Sequence, residues 1–197
     1  MDKTYVSIDG SNSSTGIAIH GKNGFALHTV SFNGVPIGKQ LNNYFARSDK
    51  MAYRVATLIK SIVPRDAKVE LMYECAAPTG FSSAGLWLLA GLILKQLIQH
   101  YKGSLSITFV NCAAVKTVIG NRSGKKKFSK ARSREFLENI QHTGKITDDS
   151  SDALMLLMIL MPCHPEINKF LIEKEVNINK IKTHTFSELQ FNLDIYN

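Results

Sequence analysis

The chain opens with short apolar runs separated by polar breaks that carry glycine. Residues 5–8, 16–20 and 26–32 read as three strands, with Gly10, Gly21 and Gly24 at the breaks where tight turns need glycine. Together they predict an antiparallel meander. The period then lengthens. Leu41, Tyr44, Phe45, Met51, Val55, Leu58, Ile59 and Ile62 recur every three or four residues, an amphipathic helix over 39–63 that Pro64 ends. Residues 69–73 form the next predicted strand, with Glu74 at its carboxyl end, and 75–83 a loop rich in Ala, Pro, Gly and Ser. A second helix is expected over 84–101, a fifth strand over 106–110, and a short helix over 113–119 capped by Asn111. Residues 120–128 are polar and basic, 129–140 predict a further helix, and 148–161 the last strong one. The order β-β-β-α-β-α-β-α-α-α predicts an α/β fold. Its sheet is mixed and five-stranded, three strands antiparallel and then two parallel, with helices on both faces.

The helix near the end holds the most telling stretch. Thr147 is a good N-cap, and Asp148, Asp149 and Asp152 follow it, before an unbroken apolar run over 153–161 that Pro162 stops. Acids there favour the helix dipole by roughly 0.3–1 kcal/mol each, which alone would account for them. The apolar run argues for more, because carboxylates on a core helix need a partner or a cation. Asp149 and Asp152 are three apart and share a face. Asp9 and Glu74 each end a predicted strand, where sheets of this type expose functional side chains, although an Asp after a strand is equally an Asx-turn residue. If strands one and four are neighbours and the last helix lies against their ends, Asp9, Glu74, Asp149 and Asp152 converge. Four carboxylates together require cations, and all-oxygen ligands suit Mg2+ or Mn2+ rather than zinc. Two such ions about 4 Å apart activate a water and stabilise the leaving oxygen of a phosphodiester.

Composition adds a partner and a setting. The 197 residues suffice for one well-packed domain, and 44% hydrophobic with 20% charged residues excludes a disordered chain. A net charge of +8 points to polyanions, nucleic acid ahead of a membrane surface. Cys75, Cys112 and Cys163 are odd in number and lack CxxC spacing, as expected of a reducing, intracellular and cytoplasmic setting. Residues 1–9 carry no signal-peptide pattern. The apolar stretches 85–94 and 153–161 are about half of the ~20 residues a membrane span requires, so no membrane segment is expected. Residues 163–197 are mixed and charged with no clear period, and a helix is expected only over 166–175.

Four stretches taken in order resemble the successive motifs of the RuvC-type Holliday junction resolvases, whose fold is RNase H-like: SIDGSNSSTGIAI, MYECAAPTGFSSAGLWLLAGLI, CAAVKTVIGNRSGKKKFSKARSREFLE and DDSSDALMLLM. The resemblance covers roughly residues 4–161, and the P-T-G-x-S-S-A-G pattern looks more like phage-type members. It implies a nuclease domain over 1–162 and an extension over 163–197 outside the family core. By position Asp9, Glu74, Asp149 and Asp152 match the family's four catalytic, metal-binding acids, and Asp148 matches none. The resemblance further implies two Mg2+ ions per active site, with Mn2+ a substitute, and no small-molecule cofactor. The expected reaction is resolution of four-way DNA junctions by paired symmetric nicks, performed by a homodimer. Lys116 lies in V-K-T-V-I-G, where the family has a lysine near the scissile phosphate. A second family lysine falls within 125–127, and the loop length leaves its identity open. The family often carries an aromatic wedge soon after the second acid; here that stretch is Cys75-Ala76-Ala77, and the first aromatic is Phe81.

Arg122, Lys125, Lys126, Lys127, Lys130, Arg132 and Arg134 precede Glu135 with no acid among them, either a solvated face or a surface that binds the DNA backbone by counterion release. The helix over 84–101, with Gly85, Ala90 and Gly91, is the candidate dimer contact, and equally a plain core helix. Other substrates for the same fold, flaps or RNA–DNA hybrids, stay open at this level. Asp9-Gly10-Ser11 followed by Gly16 also resembles the phosphate loop of actin-like ATPases and sugar kinases, but those need two such domains. A junction-binding protein without catalysis is a further reading, against which the presence of all four acids argues.

Overall fold

The three opening strands fold back on one another as their glycines predict. In the computed structural model, which describes residues 3–32, 41–75, 81–101, 104–111, 115 and 129–177, β1 (Lys3–Asp9) pairs antiparallel with β2 (Ser14–Gly21), and β2 with β3 (Gly24–Ser31). Gly21 and Gly24 face each other across the β2–β3 hairpin, and Gly24 takes φ 85°, a left-handed backbone open to glycine. β4 (Lys68–Cys75) joins β1 in parallel, and β5 (Leu105–Asn111) joins β4 in parallel. A short strand, β6 (His142–Gly144), lies parallel on β3 and makes six strands in the order β5-β4-β1-β2-β3-β6, where five were expected. Three residues are too few for alternation to mark them in a sequence.

Helices cover both faces. On one lie α1 (Leu41–Ile62) and α2 (Phe81–Tyr101), packed over Val6, Ile8, Ile17, Ile19, Leu71 and Tyr73. On the other lie α3 (Ser129–Glu138), α4 (Asp148–Leu160) and α5 (Pro165–Glu173), packed over Ala18, Phe25 and Leu27. The short helix expected over 113–119 lies outside the described residues except at Val115, which is helical and buried. α4 is the most deeply set, with Ala153, Leu154, Met155, Leu157 and Met158 fully buried. Each large aliphatic side chain so buried contributes about 1.5–3 kcal/mol.

Two readings of the helices shift. The buried stripe of α1 runs through Ser48, Met51, Ala52, Val55, Ala56 and Ile59, whereas Phe45 and Ile62 are exposed. Met51, Val55 and Ile59 bear out the expected period, while Ser48, Ala52 and Ala56 widen the buried face with small side chains that apolar character alone does not mark. In α2, Ala90 is buried in the core, while Gly91 faces outward with nothing within 4 Å of an added Cβ. The helix expected over 166–175 is α5, and its Ile167, Phe170 and Leu171 share a core with Phe136 and α4. Residues 163–177 are thus packed against the helices on this face of the sheet. No single helix among the described residues is long and apolar enough to cross a membrane.

Candidate active site

Strand parity decides which side chains face α4. Ser7 donates a 2.6 Å hydrogen bond to the Ala153 carbonyl, and its cross-strand partner Met72 packs with Met155 and Leu156. Two residues further along, Asp9 and Glu74 occupy that same face at the carboxyl ends of adjacent parallel strands. The two acids are 65 positions apart in the chain and neighbours in the sheet.

The helix acids reach this end through a close approach. Asp9 pairs with Gly16, and a Cβ on Gly16 would stand 1.9 Å from the Asp149 carbonyl oxygen. Only hydrogen fits there. Ser14 then donates to Asp149 Oδ2 at 2.5 Å. The N-terminus of α4 is fixed by a reciprocal capping box: the Ser150 amide donates to the Thr147 hydroxyl at 3.1 Å, and the Thr147 amide to the Ser150 hydroxyl at 2.8 Å. Asp152, one turn on, is 7% exposed. The turn after Asp9 is held as well, with the Ser48 hydroxyl donating to Asn12 Oδ1 and Arg47 to the Asn12 carbonyl.

Electrostatics link the strand acids. The Tyr73 hydroxyl is buried against Gly10, where an added Cβ would lie 2.0 Å from it, and has no hydrogen-bond partner among the described residues. Burial pushes the Tyr73 phenol far above its ordinary range, and the charges of Asp9 and then Glu74 push it further. Both carboxylates therefore stand near this hydroxyl. Glu74 Oε2 is buried too, without a hydrogen-bond partner among the described residues. A buried carboxylate oxygen with no donor is costly unless a cation compensates it.

Among the described residues no three His, Cys, Asp or Glu side chains are gathered into a cage that grips an ion as they stand. Asp9 and Glu74 end adjacent strands, and the contact of Gly16 with the Asp149 backbone brings Asp149 to that end. Their donor chemistry still fits a hard divalent cation: every atom is a carboxylate oxygen, and Glu74 Oε2 lacks a protein donor.

Asp148 points elsewhere, exposed and paired with Arg134 at 2.8 Å, as its omission from the acid set anticipates. That pair places α3 beside the N-terminus of α4. Lys130 and Arg132 lie on α3, described in backbone only, and Phe81 is the first residue of α2 on the same terms. Lys116, Arg122, Lys125, Lys126 and Lys127 lie outside the described residues. Sequence reasoning missed Ser7 and Ser14; only the serine-rich run over 11–14 carried a signal, and that for Ser14. A cavity of about 730 Å³ lies at the other end of the sheet, beside Lys3, Tyr5, His20 and His164.

No family model and no curated protein matches the chain. Among solved structures, Thermus thermophilus RuvC in complex with a Holliday junction substrate matches with TM-score 0.53 and 11% identity, over 87% of this chain and 95% of that one. The chain has the RuvC fold. A second T. thermophilus RuvC structure agrees, with TM-score 0.52 and 11% identity over 88% of this chain and 97% of that one. The human cytomegalovirus terminase nuclease domain, Mn soaked and inhibitor bound, is more distant, with TM-score 0.42 and 14% identity over 85% of each chain. The RuvC fold is RNase H-like, as the motifs led us to expect. At 11% identity the likeness is one of backbone, so the roles of single side chains rest on the geometry above.

Proposed function

We propose that the chain is a metal-dependent endonuclease that resolves four-way DNA junctions by paired nicks. The observation that carries this reading is the placement of Asp9 and Glu74 on adjacent strand ends beneath the first turns of the helix bearing Asp149 and Asp152. These four residues would hold Mg2+ or Mn2+, which when bound supplies an activated water and neutralises charge on the phosphate.

The chain's own residues do the positioning. Parallel pairing fixes the strand ends, so Asp9 and Glu74 cannot separate without breaking the sheet. Gly16 and the Thr147 cap set the height and angle of α4, and Ser14 orients the Asp149 carboxylate. α3 brings Lys130, Arg132 and Arg134 alongside, and with Arg122, Lys125, Lys126 and Lys127 before it these residues track the DNA backbone. Lys116 approaches the scissile phosphate, where charge builds during attack. Phe81, the first residue of α2, would wedge between bases at the junction centre. A homodimer would use the outward face of α2, where Ala84, Leu88 and Gly91 stand exposed or half-buried.

The test is cleavage of a mobile four-way junction with and without Mg2+, beside a flap, a plain duplex and an RNA–DNA hybrid. Paired nicks on the junction alone support the proposal. Faster cutting of flaps or hybrids moves the chain to an RNase H-like nuclease of other substrate, and no metal-dependent cutting of any of them overturns both.

A further inference from the structure

The end of β3 reaches the same end of the sheet as the candidate active site. Ser31 pairs with Ser14 across β2 and β3, and its hydroxyl lies 3.3 Å from the Ser14 hydroxyl that donates to Asp149. Phe32 follows, its amide donating to the Ser13 carbonyl at 2.9 Å. Two guanidinium groups stand over that one ring: Arg47 and Arg54 of α1 are each 5.2 Å from its centroid. Beside them a cleft of about 420 Å³ is lined by Phe32, Asp49, Lys50, Tyr53, Arg54 and Gln96.

Packing accounts for part of this cluster. Arg47 donates to the Asn12 carbonyl at 2.6 Å, fixing the turn after Asp9, and Arg54 donates to the Ser31 carbonyl at 3.3 Å. The rest has no such role. Arg47, Lys50 and Arg54 recur three and four residues apart, so three positive charges share one stripe of α1. Like charges gathered in this way repel unless an anion meets them. Lys50 and Arg54 are exposed, and among the described residues neither pairs with a carboxylate. Asp49 is the acid of the cleft, and the balance stays positive. Tyr53 lies among these cations with 64% of its surface exposed, outside the core.

We propose that Lys50, Tyr53 and Arg54, with Arg47 behind them, form a second surface for the DNA backbone, on the opposite face of the sheet from α3. The inference rests on the nuclease reading above and names where an arm of that substrate lies. α3 packs on the side of Phe25 and Leu27, and its Arg134 reaches the N-terminus of α4. α1 packs on the side of Ile17 and Ile19. The strand ends that carry Asp9 and Glu74 lie between the two helices, so a DNA strand crossing this end meets cations on both sides of the acids. From Asp9 to Ser31 is two strand spacings, about 10 Å, or roughly three nucleotides along one strand. Lys50 and Arg54 meet phosphate oxygens there, and the Tyr53 hydroxyl donates to another. Such contacts fix the position of the arm and carry no base sequence.

Binding of a four-way junction in EDTA, followed across salt concentrations, tests this apart from cleavage. Lys50→Gln with Arg54→Gln should flatten the dependence of log K on log salt by about 1.8, which is about 60-fold over a tenfold change in salt. Lys50→Gln alone, at an exposed position, should flatten it by about 0.9. Arg54→Lys keeps the charge and should keep the wild-type slope, as should Lys169→Gln on the exposed side of α5. The proposal is overturned if the double variant keeps the wild-type slope, or if Lys169→Gln flattens it as much as Lys50→Gln does. It is also overturned if Arg54→Lys behaves as Arg54→Gln, because the loss would then come from packing on Phe32. Cleavage in Mg2+ is read separately. A wild-type chain that binds the junction with this charge dependence and cuts nothing refutes the nuclease reading and leaves the surface standing, whereas one that binds no junction overturns both.

Discussion

Replacing Gly16 by alanine tests how the helix acids are held at the strand ends. The added Cβ would stand 1.9 Å from the Asp149 carbonyl oxygen, 2.3 Å from its carbon and 2.9 Å from the Ser150 amide nitrogen. Those atoms are backbone in the first turn of a capped helix, so no side chain can swing aside. An ordinary contact of about 3.5 Å requires α4 or β2 to shift by roughly 1.6 Å. Overpacking of this kind costs about 1–3 kcal/mol. In a chain of this size each kcal/mol moves the melting temperature by about 2–4 °C, so a fall of roughly 2–12 °C is expected. The same shift carries Asp149 away from Asp9, and misplacement by about 1 Å costs on the order of 10²-fold in rate. Gly91→Ala is the matched control: nothing lies within 4 Å of its Cβ, on the exposed side of α2. That change should stabilise the fold by about 0.4–1 kcal/mol. Thermal melts and single-turnover cleavage of a four-way junction in Mg2+ read both outcomes. A Gly16→Ala protein that melts and cuts like wild type would refute the close packing of α4 on β2.

Three further outcomes follow from the same geometry. Burial, and then the neighbouring His164, lower the His20 pKa to about 4 from an ordinary 6.5. Between those values the unfolded chain binds the extra proton, so stability is full above pH 6.5 and falls as pH drops toward 4. His20→Phe should therefore lose less melting temperature than wild type between pH 7 and pH 5; equal losses would show that His20 does not carry the effect. Replacing Lys125, Lys126, Lys127 and Lys130 by alanine should weaken junction binding and flatten its salt dependence by about 0.9 per lost phosphate contact, and an unchanged slope would mark a merely solvated face. Lys116→Ala should cut the single-turnover rate by roughly 10²-fold, the scale for one positioned electrostatic group. Equal losses of rate and affinity would make it a phosphate anchor instead.

What could be read from the chain alone divides along physical lines. Local chemistry was legible: Gly21 and Gly24 marked a hairpin, Thr147 a helix start, and Pro64 and Pro162 helix ends, because each acts through its own backbone. The candidate acids were legible as strand-end and helix-start residues. Their neighbourhood needed the parallel pairing of β1 with β4, which no short-range pattern specifies. The period of α1 was legible in Met51, Val55 and Ile59, whereas the burial of Ala52 and Ala56 and the exposure of Phe45 are set by what packs on the helix. Ser7 and Ser14 were invisible because a serine signals little until the group it touches, 146 and 135 residues away, is known. β6 was missed for want of length.

The central claim is that the four acids act as one metal-dependent site, and Glu74→Gln tests it most directly. The change keeps the shape of a side chain whose Oε2 is buried without a partner among the described residues, and removes its charge. Single-turnover cleavage of a four-way junction in Mg2+ should fall by at least about 10²–10³-fold, the scale for one preorganised electrostatic group, while junction binding stays as tight or tighter. A Glu74→Gln protein that cuts at the wild-type rate would contradict the account.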